Sequence, residues 1–381
     1  MSAFVFRSLA RGRASTYRTA LFFGITSLVG LTACTEQTDA ASNELRGESL
    51  EQSEASLQTR GFDFSVSLRD TGSAKIHATV FSNERLRRGE TVLAVHGLAE
   101  TGATFEPLAR AVFGDRVLTR RVKRIVAIDL VGHGKSGFPE GLPDGAFGQL
   151  TIDDNISVVR QAIDAACDEG LAPTAIAGHS MGGLTVQALQ EVLLQQGESL
   201  ADHGITKAVL LAPVPAGDQP WVRPPPPDLS ALLVTDPVLG TYLALPPALF
   251  VAQAFSTTAG VPAPNAPTVE TVTTRGYSAF EPFATLAQLV GIPLPTPAGD
   301  VTLPRPPVSA GAFAEDNGTS LTLFSFSEDT LVPASNLGGL YSYLTGDTGK
   351  GQYVPVVTDD AVHAQYISNP AAFVKSLRKV F

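Results

Sequence analysis

A serine at the centre of a glycine-rich turn is the residue in this chain best placed to do covalent chemistry. Ser180 stands in the pattern G-x-S-x-G, between Gly178 and Gly182. A run with strand character (174–177) precedes the pattern, and a run with helical character (184–194) follows it. In this strand–turn–helix context the serine hydroxyl is lifted into the open, and glycines permit the sharp turn through positive φ or close backbone contact. We therefore predict that Ser180 is a nucleophile.

Two further side chains follow predicted strands near the end of the chain and complete this chemistry. A serine hydroxyl is a weak nucleophile unless a base takes its proton, and a carboxylate has to orient that base. His363 follows the last predicted strand, and Asp329 follows the strand before it. The chain order is therefore Ser180, Asp329, His363. Two other carboxylates remain open as the acid, Glu328 beside Asp329 and Asp218 beyond an earlier strand.

Alternating strands and helices surround these residues and would position them. A hairpin is predicted over 62–81, and the apolar runs over 91–95 and 124–129 indicate strands of a parallel sheet that is covered on both sides. A helix over 152–169 is marked by apolar residues at spacings of three and four, with Thr151 as its N-cap. This alternation predicts an α/β fold with a mostly parallel central sheet and helices on both faces. Further strands are predicted over 207–212, 320–327 and 353–357, and a closing helix over 371–380.

The composition changes between residues 214 and 315, where 19 of the 27 prolines lie and only ten residues are charged. Because regular sheet absorbs proline poorly, this insertion (214–315, the lid) is predicted to consist of short helices and loops. One helix is predicted to start at Ser278, whose capping-box spacing to Glu281 opens a run that ends at Gly291. Asp236, which precedes a proline, indicates another helix start. A disordered proline-rich linker is the alternative, although Leu, Phe and Val are too frequent for a solvated one.

Several motifs together resemble those of α/β-hydrolases that use a serine nucleophile and carry a cap. The resemblance covers a core of residues 61–213 and 316–381, and it implies an α/β-hydrolase fold with the nucleophile, acid and base in the chain order seen here. Asp329 is favoured as the acid because it has the family's spacing to Val332-Pro333. The motifs are His96-Gly97-Leu98, the run DLVGHGKS at 129–136, Gly178 to Gly183, Asp329 with Val332-Pro333, and His363.

The same resemblance assigns an oxyanion hole by position. The backbone N–H of Met181, the residue after the nucleophile, is one expected donor, and the N–H of Leu98 is the other. His96 and His133 are expected to support the site through hydrogen bonds rather than to act as bases, and His179 is placed with them. No residue spacing indicates a metal site, and no cofactor is expected.

The resemblance implies hydrolysis of a carboxylic ester through an acyl-enzyme. The lid is apolar and carries the only tryptophan, Trp221, so the expected substrate is a small molecule with a hydrophobic acyl or alcohol part. Lactone, amide or C–C bond hydrolysis and perhydrolysis remain alternatives on the same fold. A binding module without catalysis is a further alternative, which an intact set of Ser, His and Asp speaks against.

Composition limits the partners. The chain has 381 residues, of which 44% are hydrophobic and 17% charged, so it can bury a large core. Asp and Glu number 37 against 27 Lys and Arg. This acidic balance argues against nucleic acid or anionic lipid as a partner. The oligomeric state stays open.

The first 60 residues indicate a targeting signal followed by a flexible tether. A basic start and a short apolar run predict a signal peptide over 1–33, and the run is shorter than the ~20 residues of a membrane-spanning helix. Leu31 to Cys34 resembles the lipobox of bacterial lipoproteins, which implies lipidation of Cys34. The polar segment 34–60 is predicted to be a flexible tether. The expected location is the bacterial cell envelope, lipid-anchored at the outer membrane or facing the periplasm, with soluble secretion as the alternative.

Overall fold

A computed structural model describes residues 57–68, 72–83, 86–217, 219–221, 230–291, 293–294, 301–346 and 348–381 of the chain. The predicted signal peptide, Cys34 and nearly all of the predicted tether lie outside the described residues, and so does Asp218.

Eleven strands are present in the described part of the chain. In chain order they are β1 (Gln58–Ser67), β2 (Ser73–Ser82), β3 (Glu90–Val95), β4 (Val122–Ile128), β5 (Ala175–His179), β6 (Lys207–Leu211), β7 (Leu233–Asp236), β8 (Gly240–Ala244), β9 (Phe280–Pro282), β10 (Ser320–Phe326) and β11 (Gly351–Val356).

Nine α-helices accompany the strands within the described residues, and none of them combines the length and apolarity needed to cross a bilayer. In chain order they are α1 (Glu106–Gly114), α2 (Ile152–Asp168), α3 (Met181–Gln195), α4 (Pro247–Ala254), α5 (Val269–Arg275), α6 (Phe283–Val290), α7 (Leu337–Thr345), α8 (Gln365–Ser368) and α9 (Pro370–Leu377).

The main sheet has eight strands in the order β1-β2-β4-β3-β5-β6-β10-β11. The β1–β2 and β2–β4 pairs are antiparallel. The six strands β4, β3, β5, β6, β10 and β11 are parallel to one another. In β3, Leu93 and Val95 belong to the hydrophobic cluster on one face of the sheet, and Val92 and Ala94 belong to the cluster on the other face. Burial on both faces explains the continuous apolar run, and the predicted α/β fold is confirmed.

The lid differs from its prediction because it contains a small antiparallel sheet of order β7-β8-β9. Asp236 does not start a helix. It ends β7, and its Oδ1 accepts the backbone N–H groups of Val238 at 2.8 Å and Leu239 at 2.9 Å, which closes the turn into β8. Proline is tolerated because Pro237 lies in this turn and Pro282 lies in β9, an edge strand.

The predicted capping box at Ser278 is also wrong. Phe280 to Pro282 form β9, so α6 begins later than predicted, at Phe283. The end was predicted well, since α6 closes at Val290 and Gly291 adopts the left-handed conformation with φ of 62°. Glu281 is therefore released from a capping role, and its side chain is fully buried.

Candidate active site

Ser180 occupies a strained turn between β5 and α3. Its φ of 51° and ψ of −114° lie in a region that costs a residue with a side chain about 1–3 kcal/mol. The positive φ therefore falls on the serine itself, and the neighbouring glycines serve close packing instead. A Cβ at Gly182 would lie 2.3 Å from the carbonyl oxygen of Val95. The backbone of Ser180 is held from the other side, since its N–H donates to the carbonyl of Leu211 at 2.9 Å.

His363 and Asp329 meet at the ends of the last two strands. Asp329 Oδ2 lies 2.8 Å from His363 Nδ1, and both residues are buried. Asp329 Oδ1 accepts the backbone N–H groups of Leu331 and Val332, each at 2.8 Å. These two bonds fix the carboxylate independently of the imidazole. Burial lowers the pKa of His363. The charge of Asp329, its hydrogen bond and the charge of Glu100 outweigh burial and raise that pKa above its usual value.

The alternative acids point elsewhere or cannot be placed. The Glu328 carboxylate accepts hydrogen bonds from the backbone N–H and the hydroxyl of Thr258, and these bonds lower its pKa. Asp360, which was not among those alternatives but lies three residues before His363 in the chain, accepts from the side-chain amide of Asn265 at 3.1 Å and is enclosed by polar neighbours near the start of α9. Asp218 lies outside the described residues. The structure therefore pairs Asp329, and neither Glu328 nor Asp360, with His363.

Two carboxylates hold the loop that carries Leu98. The N–H of Gly97 donates to Glu100 Oε2 at 2.7 Å, and the N–H of Ala99 donates to Glu281 Oε2 at 2.8 Å. The N–H of Leu98, which lies between them, has no acceptor among the described residues. The same holds for the N–H of Met181, because the first amides of a helix have no partner inside the helix. Both predicted oxyanion donors are thus unpaired and available.

A network of buried polar side chains contacts His363 and the loop that carries Leu98. Glu100 Oε2 also faces His179 Nδ1 at 3.0 Å and accepts from the hydroxyl of Tyr366 at 3.2 Å. His179 Nε2 reaches the backbone carbonyl of His363 at 3.1 Å, and the two rings lie 4.7 Å apart. Burial raises the pKa of Glu100, but the charge and hydrogen bond of His179 and the N–H of Gly97 outweigh it and lower that pKa. Sequence reasoning missed Glu100 and Tyr366, since neither stands in a recognisable motif.

His96 and His133 lie side by side, and their surroundings shift their pKa values in opposite directions. His96 Nδ1–H donates to the carbonyl of Gly97 at 2.9 Å, and its Nε2 accepts from the N–H of Leu130 at 3.1 Å. Burial and the charge of His133 lower the pKa of His96 to about 3, so His96 stays neutral. His133 Nε2 faces Glu281 Oε2 at 3.2 Å. Burial lowers the pKa of His133, but the charge of Glu281 and the hydrogen bonds outweigh burial and raise it.

A cavity of about 510 Å³ lies between the lid and the main sheet. Ser180, His363 and Leu98 line it on the sheet side, and no lysine or arginine lines it among the described residues. The described residues also contain no group of three or more His, Cys, Asp or Glu side chains arranged to hold a metal ion. The lid contributes an apolar wall of Leu243, Leu245, Leu249, Phe250, Leu286 and Leu289.

Comparison with known proteins agrees with this architecture. The sequence model of the alpha/beta hydrolase family matches residues 92–375, and the chain belongs to this family. No curated protein matches the sequence significantly.

Solved structures show the same fold at low sequence identity. A thermophilic esterase from Thermogutta terrifontis is 15% identical with a TM-score of 0.52, and the match covers 84% of this chain and 97% of that one. A serine hydrolase from the polyaromatic hydrocarbon-degrading bacterium Cycloclasticus zankles is 17% identical with a TM-score of 0.50, over 85% and 98% of the two chains. Both resemble this chain in fold.

Proposed function

We propose that this protein is a serine hydrolase that cleaves carboxylic esters with a hydrophobic acyl or alcohol part. One observation carries the proposal. Ser180, on its strained turn, lines the same cavity as His363, and Asp329 holds the far side of the His363 ring at 2.8 Å. Membership of the alpha/beta hydrolase family supports hydrolysis as the reaction, and an esterase is among the proteins that share the fold.

In the proposed mechanism His363 takes the hydroxyl proton of Ser180 as the oxygen attacks the ester carbonyl. The N–H groups of Leu98 and Met181 donate hydrogen bonds to the carbonyl oxygen as it becomes negatively charged. Each such donor typically stabilises the transition state by about 3 kcal/mol. His363 then gives the proton to the leaving alcohol. His363 next takes a proton from the water that attacks the acyl-enzyme, and it returns this proton to Ser180 as the acid is released. Asp329 stabilises the imidazolium that forms in each half of the cycle.

The cavity supports a neutral, apolar substrate. Leucine and phenylalanine side chains of the lid form its wall, and among the described residues it offers no cation to a carboxylate on the substrate. Burying an unpaired charge is costly, so an ester with a charged acyl chain should bind poorly.

The test is hydrolysis of p-nitrophenyl butyrate by the wild-type protein and by Ser180→Ala. We expect turnover by the wild type and a loss of at least a thousandfold in the variant, since Ser180 forms the acyl-enzyme. Ser342→Ala, which changes an exposed serine of α7, is the matched control and should keep wild-type turnover. Equal turnover by Ser180→Ala would remove Ser180 from the mechanism.

We further propose that the domain acts in a bacterial cell envelope, attached to a membrane through lipidated Cys34, with a small-molecule ester and no nucleic acid as its partner. The lipobox-like sequence before Cys34 supports the anchor, and the acidic charge supports the absence of nucleic acid. Mass spectrometry of the mature N-terminus tests the anchor. A diacyl- or triacyl-modified Cys34 is expected, and an unmodified start at another residue would refute lipidation.

A further inference from the structure

The lid and the loop after β3 are joined by a ladder of hydrogen bonds. The N–H of Ala279 donates to the carbonyl of Ala99 at 2.9 Å, and the hydroxyl of Thr101 donates to the carbonyl of Gly276 at 2.6 Å. Glu100 and Ser278 form an antiparallel bridge between these two contacts. The loop that carries Leu98 is therefore attached to the lid along its length.

Glu281 ends this ladder with a buried carboxylate. It lies in β9 opposite Leu243, and both side chains are almost fully shielded from solvent. Its Oε2 receives the N–H of Ala99 at 2.8 Å and faces Nε2 of His133 at 3.2 Å. A lid that only covered a cavity would have no need of a buried charge, because an apolar residue would pack there without the cost of desolvation.

The bond to Ala99 acts on the peptide group next to the oxyanion donor. Ala99 adopts φ of 52°, an unfavourable conformation for a residue with a side chain, and its N–H is held there by Glu281. Glu100 holds the N–H of Gly97 in the same way. The peptide groups on both sides of the Leu98 N–H are thus fixed by carboxylates, one from the core and one from the lid.

We propose that Glu281 is a positioning residue, which fixes the Ala99 peptide so that the Leu98 N–H is aimed at the oxyanion. The proposal rests on the proposed function, because it assigns Glu281 a task in ester hydrolysis. It makes the oxyanion hole dependent on the lid, since β9 supplies the carboxylate. An account in which the lid contributes only cavity wall has no place for this dependence.

The test compares Glu281→Gln with Glu191→Gln. Glu191 is also a buried carboxylate, but it lies in α3 and accepts from the backbone N–H and hydroxyl of Ser309, away from the cavity. For p-nitrophenyl butyrate we expect kcat of Glu281→Gln to fall 10- to 100-fold while KM stays within about twofold, because a neutral amide oxygen holds the Ala99 N–H more weakly than a carboxylate does and the positioning acts in the transition state. Glu191→Gln should keep wild-type kcat.

A second readout separates positioning from general damage. A trifluoromethyl ketone forms a tetrahedral adduct with serine whose oxygen occupies the oxyanion hole, so its affinity for Glu281→Gln should fall by the same factor as kcat/KM. Unchanged kcat would overturn the proposal. So would a lower kcat with unchanged affinity for the ketone, since the defect would then lie outside the oxyanion hole.

A double variant covers the case in which Glu281→Gln does not fold. Glu281→Met with His133→Leu replaces the two buried polar partners by apolar side chains, an exchange that proteins often tolerate. It leaves the Ala99 N–H without an acceptor, so the same loss of kcat is expected, and wild-type kcat would overturn the proposal. Labelling of Ser180 by a fluorophosphonate distinguishes the two levels of failure. A labelled, active wild type with unaffected variants refutes positioning alone, and an unlabelled, inactive wild type refutes the proposed function.

Discussion

Asp329 uses both of its carboxylate oxygens, and each has a separate task. Oδ1 is held by two backbone N–H groups of its own turn, and Oδ2 meets the His363 ring. The turn therefore fixes the carboxylate without any contribution from the histidine. An aspartate in this position can orient the ring and stabilise its charged form at the same time.

The pH profile of Asp329→Asn tests this arrangement at the level of one residue. The base must be neutral to accept a proton, so kcat/KM rises with pH through the pKa of His363. Because Asp329 raises that pKa, the variant should show its midpoint at lower pH and a plateau lower by about 10³–10⁴. Glu328→Gln is the control, and a downward shift of the midpoint there instead would make Glu328 the acid.

Sequence motifs selected Ser180, Asp329 and His363 as candidates, but they could not select Glu100 and Glu281. The first three residues follow strands at positions that a reader can mark from hydrophobic pattern and chain order. Glu281 contacts Ala99, which lies 182 residues away in the sequence, and no motif around Glu281 predicts that contact. Its capping-box spacing to Ser278 even indicated a different role. Buried polar partners of this kind become visible only when the fold brings the segments together.

At the scale of elements, the turn between β5 and α3 depends on close packing of backbone. The carbonyl of Val95 occupies the space that a Cβ at Gly182 would need. β5, which leads to Ser180, and β3, which leads to Leu98, are neighbouring parallel strands of the sheet. The loops that follow them therefore lie side by side. Glycine at this crossing allows the turn after β5 to lie directly against the backbone at the end of β3.

Gly182→Ala is expected to damage both stability and activity. The added Cβ would lie 2.3 Å from backbone, so the turn must shift. We expect the free energy of unfolding to fall by about 1–3 kcal/mol and kcat/KM to fall at least tenfold. Gly339→Ala in α7 is the matched control, because no described residue lies within 4 Å of its Cβ position, and it should stabilise the protein by about 0.5–1 kcal/mol. Urea unfolding and ester hydrolysis measure both; equal behaviour of the two variants would contradict this account of the turn.

Local signals predicted core elements better than lid elements. Thr151 does cap α2, and its box partner is Asp154, whose carboxylate receives the N–H of Thr151 at 2.7 Å. In the lid, Asp236 and Ser278 carried equally good helix signals and yet lie in or beside strands. A short amphipathic segment can satisfy either pattern, and pairing with β8 decides the outcome in the lid.

In the molecule as a whole, the lid covers the cavity that Ser180 lines. Its apolar wall closes the cavity from the side opposite the sheet. Trp221 of the lid also lines the cavity, and its Nε1 donates to the carbonyl of Leu331, on the turn after β10, at 3.0 Å. The composition of the lid predicted a hydrophobic ligand. It could not predict the shape of the cavity, because that depends on how α4, α6 and the small sheet pack over the core.

An ester series measures this cavity. Each methylene moved from water into an apolar cavity contributes about 0.8 kcal/mol, so kcat/KM for p-nitrophenyl esters should rise about fourfold per methylene until the cavity is full. A terminal carboxylate on an acyl chain of the same length should lower kcat/KM at least tenfold, because no lysine or arginine lines the cavity in the described part of the chain. A preference for acetate, or for the carboxylate-bearing ester, would contradict the assignment of this cavity to the substrate.

Activation of Ser180 by His363 is tested by labelling with a fluorophosphonate followed by peptide mass spectrometry. We expect one equivalent of label on the peptide that contains Ser180, labelling that slows sharply in His363→Ala, and none in Ser180→Ala. Label on another serine, or no label on a protein that still hydrolyses esters, would contradict the proposed role of Ser180.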